Sequence, residues 1–270
     1  MTALLEIANI PHSTYYYYLK QSKKADKYAI IKSEITAIFN ENQGRYGYRR
    51  ITMELHNRGY VINHKTVQGL MKELDLKCMV RNKKYRSYKG EIGKIAPNII
   101  ERNFTAQSPN QKWTTDITEF EVSGEKIYLS PILDMYNGEI ISYNISERPV
   151  LSQVLNMLDL AFEKIPDNTG LILHSDQGWQ YQHKKYQQKL LDKGIVQSMS
   201  RKGNCLDNSI MENFFGLLKS ELLYLRKFKS MKEFKLELEK YIDYYNNKRI
   251  KSKLKGLSPV QYRIQSSLVA

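Results

Sequence analysis

Trp113-Thr114-Thr115-Asp116-Ile117-Thr118-Glu119-Phe120 and, soon after, Ile127-Tyr128-Leu129-Ser130-Pro131-Ile132-Leu133 carry the texture that decides the fold. Thr, Ile, Tyr, Phe and Leu dominate both runs, and these residues suit a pleated, half-buried surface. A turn at Tyr136-Asn137-Gly138 leads into residues 139–146, and Asn-Gly between two apolar runs is a strong hairpin signal. The pattern predicts an antiparallel meander over 112–121, 126–135 and 139–146. A helix follows through Val154, Leu155, Leu158, Leu160, Ala161 and Phe162, ending near Pro166. Next come a short apolar strand at 171–173, a helix over 183–193 and a strand over 195–199. A Gly/Asn loop at 201–205 precedes a long helix over 207–225, a last helix over 231–247 and a basic tail. The order β-β-β-α-β-α-β-α implies an α/β fold, a mixed five-stranded sheet flanked by helices.

Upstream the texture is helical. Short helices are expected within 3–20, then an amphipathic helix over 25–41 through Ile30, Ile31, Ile35, Ile38 and Phe39. Gly44-Arg45-Tyr46-Gly47-Tyr48-Arg49-Arg50 leads into a helical pattern through Ile51 and Leu55 that Gly59 stops. Asn63 is placed to cap the next helix, whose inner face is Val67, Leu70, Met71 and Leu74. Helix, short Gly-containing turn and helix is the helix-turn-helix pattern. On that reading Lys65, Gln68 and Lys72 face outward on the recognition helix, and Arg49 and Arg50 join them as candidate DNA contacts. The plainer reading is a helical hairpin with a solvated Lys face. Residues 77–94, with Lys83, Lys84 and Arg86 among seven basic residues against one acid, lose apolar periodicity. They read as a basic linker suited to a phosphate backbone.

Composition agrees with that reading. The 270 residues carry 42 Lys+Arg against 28 Asp+Glu, a net charge of +14. Such an excess points to a polyanion, nucleic acid before an acidic membrane surface. Two distant cysteines, Cys78 and Cys205, exclude a disulfide framework, and no apolar run approaches a membrane span. A cytoplasmic, nucleoid-associated protein is expected.

Three carboxylates stand out. Asp116 lies inside the first strand, where a charge must meet solvent or a ligand. Asp176 follows the apolar strand 171–173 at its C-terminal end, the edge where α/β sheets place ligands. Glu212 sits one to two turns into the long helix. Transfer of a phosphoryl group between DNA oxygens needs an activated nucleophile and a stabilised leaving oxygen, which two Mg²⁺ ions roughly 3.5–4 Å apart provide. Mg²⁺ takes hard oxygen ligands and keeps several waters, so few carboxylates suffice. Asp134, Asp207 and Glu221 are rivals: Asp134 precedes a turn, Asp207 stands where a helix cap belongs, and Glu221 lies about 180° round the helix from Glu212.

The chain resembles the second-reading-frame products of bacterial insertion-sequence transposases of family three. Tyr46-Gly47-Tyr48-Arg49-Arg50-Ile51, Trp113-Thr114-Thr115-Asp116-Ile117-Thr118 and His174-Ser175-Asp176-Gln177-Gly178 carry the resemblance. Lys202-Gly203-Asn204-Cys205-Leu206-Asp207-Asn208-Ser209, Glu212-Asn213-Phe214-Phe215, Lys219-Ser220-Glu221, Tyr245-Asn246-Asn247-Lys248-Arg249 and Ser258-Pro259 complete it. It implies a ribonuclease H-like, integrase-type core at 108–226. Around that core it implies a short helical segment at 1–24, a helix-turn-helix region at 25–76, a linker at 77–107 and a C-terminal helix and tail at 227–270. It implies a metal triad of Asp116, Asp176 and Glu212, two Mg²⁺ ions with Mn²⁺ as substitute, and strand hydrolysis followed by attack of the freed 3′-OH on another strand. Lys219 shares the Glu212 helix face and is expected at a phosphate. Asn208, Arg201 and Lys202 are expected at DNA as well. Transposon ends and target DNA are the partners, in a homo-oligomer on DNA, with an upstream-frame product present separately or as a frameshift fusion. Five His and two Cys without paired spacing predict no zinc. Trp179 stands where many relatives have a small residue, and Lys251 where many have His. A nuclease on the same fold and a non-catalytic DNA-binding regulator are the competing functions.

Overall fold

The structure, a computed structural model, describes all residues except 1–4, 6, 9, 23–25, 81–94, 202, 203 and 270. Lys83, Lys84, Arg86 and Lys202 therefore lie outside the described residues. The chain forms two compact units, Met1–Cys78 and Met79–Ala270.

In the first unit, α1 (His12–Ser22) precedes α2 (Ala29–Glu41), α3 (Tyr48–Asn57) and α4 (His64–Glu73). Helices α2, α3 and α4 pack on one another, with Ile35, Ile38, Ile51, Leu55, Val67, Leu70 and Met71 in the shared core. Each such aliphatic side chain contributes about 1.5–3 kcal/mol on burial. Gly59 adopts φ 88°, the left-handed conformation that lets the chain leave α3. Asn63 caps α4, its side chain accepting from the Lys65 N–H at 2.8 Å. Arg58 ties the helices together through Glu34, Glu41 and Glu54.

In the second unit the sheet comprises β1 (Lys112–Thr115), β2 (Thr118–Val122), β3 (Glu125–Asp134), β4 (Ile140–Ser146), β5 (Ile172–Ser175) and β6 (Val196–Met199). The first expected strand is thus divided at Asp116-Ile117. Both halves pair with β3 in one continuous register, Trp113↔Asp134 through Thr115↔Ile132 and Thr118↔Leu129 through Val122↔Glu125. That register sets Asp116 opposite Pro131, which has no N–H to give the ladder. The Ile117 N–H is meanwhile taken by the Asp116 carboxylate at 2.7 Å. A short polar side chain here outcompetes the ladder for its neighbour's amide. Counted as ribbons, the sheet runs β4, β3, β1 with β2, β5, β6, antiparallel at first and parallel from β1 onward. This is the expected mixed five-ribbon sheet of an integrase-type, ribonuclease H-like fold.

Helices α5 (Leu151–Phe162) and α6 (Lys184–Lys193) serve one apolar cluster, in which Val154, Met157, Leu158 and Leu190 meet Trp113, Ile132 and Leu173. The other cluster joins Phe120, Leu129, Leu133 and Ile140 to α7 (Ser209–Leu218) and α8 (Met231–Asn247) through Met211, Phe214, Phe234 and Leu238. Successive strand residues face opposite ways, so Ile132 and Leu133 feed different clusters.

Two expectations change here. The long helix over 207–225 is a 3₁₀ turn (Cys205–Asn208), then α7, then a π turn (Lys219–Leu223). The basic tail contains α9 (Pro259–Val269). Ser258-Pro259-Val260-Gln261 is a reciprocal capping box: Ser258 Oγ accepts from the Gln261 N–H and Gln261 Oε1 from the Ser258 N–H. Residues 227–270 also share the core of the sheet rather than standing apart from it. Asn137 Nδ2 donates to the Pro259 carbonyl, and Arg263 pairs with Glu139 at 2.7 Å. Lys251 donates to Tyr245 Oη and the Gly138 carbonyl. No helix is long and apolar enough to cross a membrane among the described residues.

Candidate active site

Strand register decides where two of the carboxylates meet. β1 and β5 run parallel as Lys112↔Ile172, Trp113↔Leu173 and Thr114↔His174. Continuing that register by two residues sets Asp116 beside Asp176, just past the ends of their strands. Neighbouring strands lie about 4.8 Å apart, so two carboxylates share one edge of the sheet there. Each spends one oxygen locally: Asp116 Oδ1 accepts from the Ile117 N–H at 2.7 Å and Asp176 Oδ1 from the Gly178 N–H at 2.8 Å. Burial raises the pKa of Asp116 well above the usual carboxylate range, and the charges of Asp176 and Glu212 raise it further. Burial raises Asp176 too. Glu212, half-buried in the first turn of α7, is raised by burial and makes no hydrogen bond or ion pair among the described residues.

The three rivals are spent. Asp207 accepts from Asn98 Nδ2, Arg102 Nε and the Arg201 backbone N–H, Nε and Nη2 at 2.9–3.1 Å. It closes the loop before α7 and makes no cap. Arginine donors hold its carboxyl far below the usual range against the burial that opposes them. Glu221 is buried in the π turn with Arg249 Nη2 at 2.6 Å, Arg249 Nε at 2.8 Å and Tyr241 Oη at 3.0 Å. Asp134 caps its turn, accepting from the Asn110 and Tyr136 N–H groups; burial moves it up to about 6. Among the described residues no three His, Cys, Asp or Glu side chains already stand in ligating reach of one another.

The remaining expected contacts divide. Lys219 is half-buried, its Nζ 5.6 Å from the Phe120 ring centroid; burial lowers its pKa while Glu119 and Asp116 oppose that shift. Asn208 is buried and not at the surface: it accepts from Thr114 Oγ1 at 2.5 Å and donates to the Thr115 carbonyl, fastening the start of α7 to β1. Arg201 is exposed but its guanidinium is committed to Asp207. On α4, Lys65, Gln68 and Lys72 are exposed along one face. Arg49 is exposed over the Tyr48 ring and Arg50 lies over the Tyr46 ring. Trp179 is 55% exposed, two residues after Gln177 in the loop that follows Asp176.

Two groups escaped the sequence reading. His174 is fully buried between Ser198 Oγ at 2.9 Å and Ser200 Oγ at 3.1 Å, and burial lowers it to about 4, so it is neutral near pH 7. Ser200 Oγ also donates to the Ser175 carbonyl at 3.3 Å. Tyr181 is buried with its ring packed against Gly178, two residues after Asp176. His174-Ser175-Asp176 read as a motif, but the serines that flank the ring come from β6 and its end.

The chain is similar to known proteins along most of its length. The integrase core domain model matches residues 106–205, an HTH-like domain model residues 25–84, and a second integrase core domain model residues 212–267. The chain is similar to the putative transposase InsK for insertion sequence element IS150 of Escherichia coli (strain K12), at 56% identity over 97% of this chain and 93% of that protein. It is similar to the transposase for insertion sequence element IS904 of Lactococcus lactis, at 36% identity over 92% of this chain and 99% of that one. Among solved structures, the HTLV-2 integrase catalytic core domain in complex with magnesium aligns with TM-score 0.47 and 18% identity, over 58% of this chain and 98% of that one.

Proposed function

The chain belongs to the insertion-sequence transposases of family three, with an integrase-type core and an HTH-like region, and from that premise we propose that it cuts and rejoins DNA at a divalent-metal site held by Asp116, Asp176 and Glu212. One observation carries the choice of residues. These carboxylates keep unspent acceptor oxygens, whereas Asp134, Asp207 and Glu221 are occupied by donors. The charges of Asp176 and Glu212 press on Asp116, opposed first by the Ile117 N–H and then by Lys219, and this leaves a concentration of negative charge that hard cations would neutralise.

When bound, a pair of Mg²⁺ or Mn²⁺ ions supplies an activated oxygen nucleophile and stabilises the departing oxygen. The chain's own part is placement. β1 and β5 hold Asp116 and Asp176 rigidly side by side, and Asn208 fixes the start of α7 against β1. Glu212, with no hydrogen bond or ion pair among the described residues, completes the set by a change of rotamer, a modest cost for a side chain with three torsions. Lys219, on the same side of the helix, is positioned to meet a phosphate. Zinc has no place in this scheme.

Pre-cut transposon ends carrying a free 3′-OH are expected to be joined to target DNA in Mg²⁺ or Mn²⁺ and not in chelator. Hydrolysis with no joined product would support the nuclease instead. Joining requires both ends in one complex, so the active form is a dimer or larger assembly on DNA, in which an upstream-frame product can take part.

The exposed face of α4 supports the helix-turn-helix reading, with Lys65 and Lys72 at phosphates and Gln68 at a base edge in the major groove. Lys65→Gln and Lys72→Gln are each expected to weaken DNA binding across sequences and to reduce the salt slope by about 1, since each lost phosphate contact releases one fewer set of counterions. A slope unchanged in both variants would leave α4 a solvated helix.

A further inference from the structure

We propose that Arg102 and Arg201, gathered on the buried carboxylate of Asp207, form a fork that grips a phosphodiester of the DNA at the metal site. The inference deepens the proposed strand transfer and rests on it. Strand register puts the fork at the sheet edge that carries the carboxylates. β5 and β6 run parallel as His174↔Ser198 and Ser175↔Met199. Continuing by one and two residues sets Ser200 beside Asp176 and Arg201 beside Gln177. The contacts agree: the Ser200 N–H donates to the Ser175 carbonyl at 2.9 Å, and Gln177 Nε2 to the Ser200 carbonyl at 2.9 Å. Arg201 therefore leaves the sheet one strand over from Asp176, about 4.8 Å between neighbouring strands. Asp207 lies on the loop that leads into the Glu212 helix, and the next residue, Asn208, is bonded to Thr114 and Thr115 of the Asp116 strand.

Arg102 reaches the same carboxylate along a strap upstream of β1. The Met199 N–H donates to the Pro97 carbonyl at 3.2 Å and the Ile99 N–H to Ser198 Oγ at 3.0 Å, which lays 97–99 beside β6. Glu101 and Arg102 then take φ 46° and 64°, a left-handed pair unfavourable for residues with a Cβ. Such strain persists where the surroundings over-determine it, and it gathers at binding sites. Here it delivers Arg102 Nε to Asp207 Oδ1 at 2.9 Å and Arg102 Nη2 to Asn204 Oδ1 at 3.1 Å. Arg201 alone gives Asp207 a backbone N–H and two guanidinium donors, enough to close the loop. A second guanidinium on one carboxylate sets like charge near like charge, which an anion would relieve. The Asp207 side chain is wholly buried, whereas those of Arg102 and Arg201 are 44% and 57% exposed. Nη1 of each arginine makes no hydrogen bond among the described residues. Glu101 adds negative charge near Arg201 but is exposed, so solvent screens it. Two planar guanidiniums with N–H groups to spare suit the oxygens of a phosphodiester, and their fixed orientation lowers the ordering cost of binding.

The full chain, Arg102→Gln and Arg201→Gln are compared in chelator for binding to pre-cut transposon ends and to target DNA over a range of salt. Each substitution is expected to reduce the salt slope by about 1 on the DNA that supplies the phosphate. A single neutral methylphosphonate linkage is then stepped along each DNA. In wild type it is expected to weaken binding about 10-fold at one position, and in Arg102→Gln that position should no longer matter. Its place, in the end or in the target, tells which DNA the fork holds. A slope unchanged on both DNAs in either variant overturns the proposal. So does a scan that costs wild type and variants alike at every position, which would leave the arginines as fasteners of the loop. Where Gln prevents folding, Arg102→Lys takes its place: the point charge remains and the fork is lost, so the penalty for the neutral linkage should shrink, and an undiminished penalty overturns the proposal. Asp116→Asn separates the two levels. If that variant still joins DNA, the metal site itself is misassigned while the slopes still test the fork; if it is inactive and the slopes do not move, only the fork fails.

Discussion

Asp116→Asn, Asp176→Asn and Glu212→Gln are each expected to lower strand cleavage and joining by about 10³-fold or more, the scale on which losing a preorganised electrostatic group acts. Affinity for transposon-end DNA in chelator should be unchanged. Each substitution keeps shape and removes one negative charge. Binding therefore survives, because the basic surface that meets phosphates is untouched. The same variants carry a second signature. Asp116 and Asp176 stand side by side at the sheet edge, and each is destabilised as an anion by burial, Asp116 also by its neighbours' charges. Removing one charge relieves the other, so Asp116→Asn and Asp176→Asn should melt at or above the wild-type temperature without metal and lose the further rise that Mn²⁺ gives the wild type. Function here is held against stability, as at other sites that store unfavourable electrostatics. Joining retained by any one of the three removes that residue from the site.

Much of this was legible along the chain because the signals are local. Thr, Ile and Tyr runs around Asn137-Gly138 marked the meander, and apolar periodicity through Val154–Phe162 marked α5. Gly59 and Asn63 bounded the helix-turn-helix pair. Asp176 could be placed because the strand before it is short, apolar and ends there. What escaped depends on partners remote in sequence. Nothing around Asp116 announces that continuing the β1–β3 register would face it with Pro131 and interrupt the strand. Asn208 looked like a residue at the start of the long helix, meeting DNA or capping the helix, and only β1 folding against α7 shows it bonded to Thr114 and Thr115. Asp207 carried the signature of a helix cap, but Arg102 reaches it from far upstream in the chain. The π turn at Lys219–Leu223 has helical composition, so no residue type betrays it. Helix α9 is the exception: Ser258-Pro259-Val260-Gln261 spelled its start, and the weakly apolar residues that follow concealed it.

Glu221 and Arg249 supply the largest expected change in stability. The pair is almost wholly buried, bidentate, and shared with the Tyr241 hydroxyl. Glu221→Gln leaves a guanidinium buried without its counter-charge, and breaking such a pair from one side costs about 3–5 kcal/mol. Arg249→Met leaves the carboxylate stranded and should cost as much. The double substitution Glu221→Leu with Arg249→Met should recover most of that loss, because both charges leave the interior together. Urea unfolding of the four proteins gives the comparison. Losses near those of an exposed ion pair, about 0–1 kcal/mol, would show that water reaches the pair. The two glutamates, Glu212 and Glu221, then separate by kind of damage. Glu212→Gln should leave a protein that melts normally and does no chemistry. Glu221→Gln should leave one whose joining falls only as far as its folded fraction falls, and is restored where the double substitution restores folding. A Glu221→Gln protein that is fully folded yet inactive would move that carboxylate into the site and unseat Glu212.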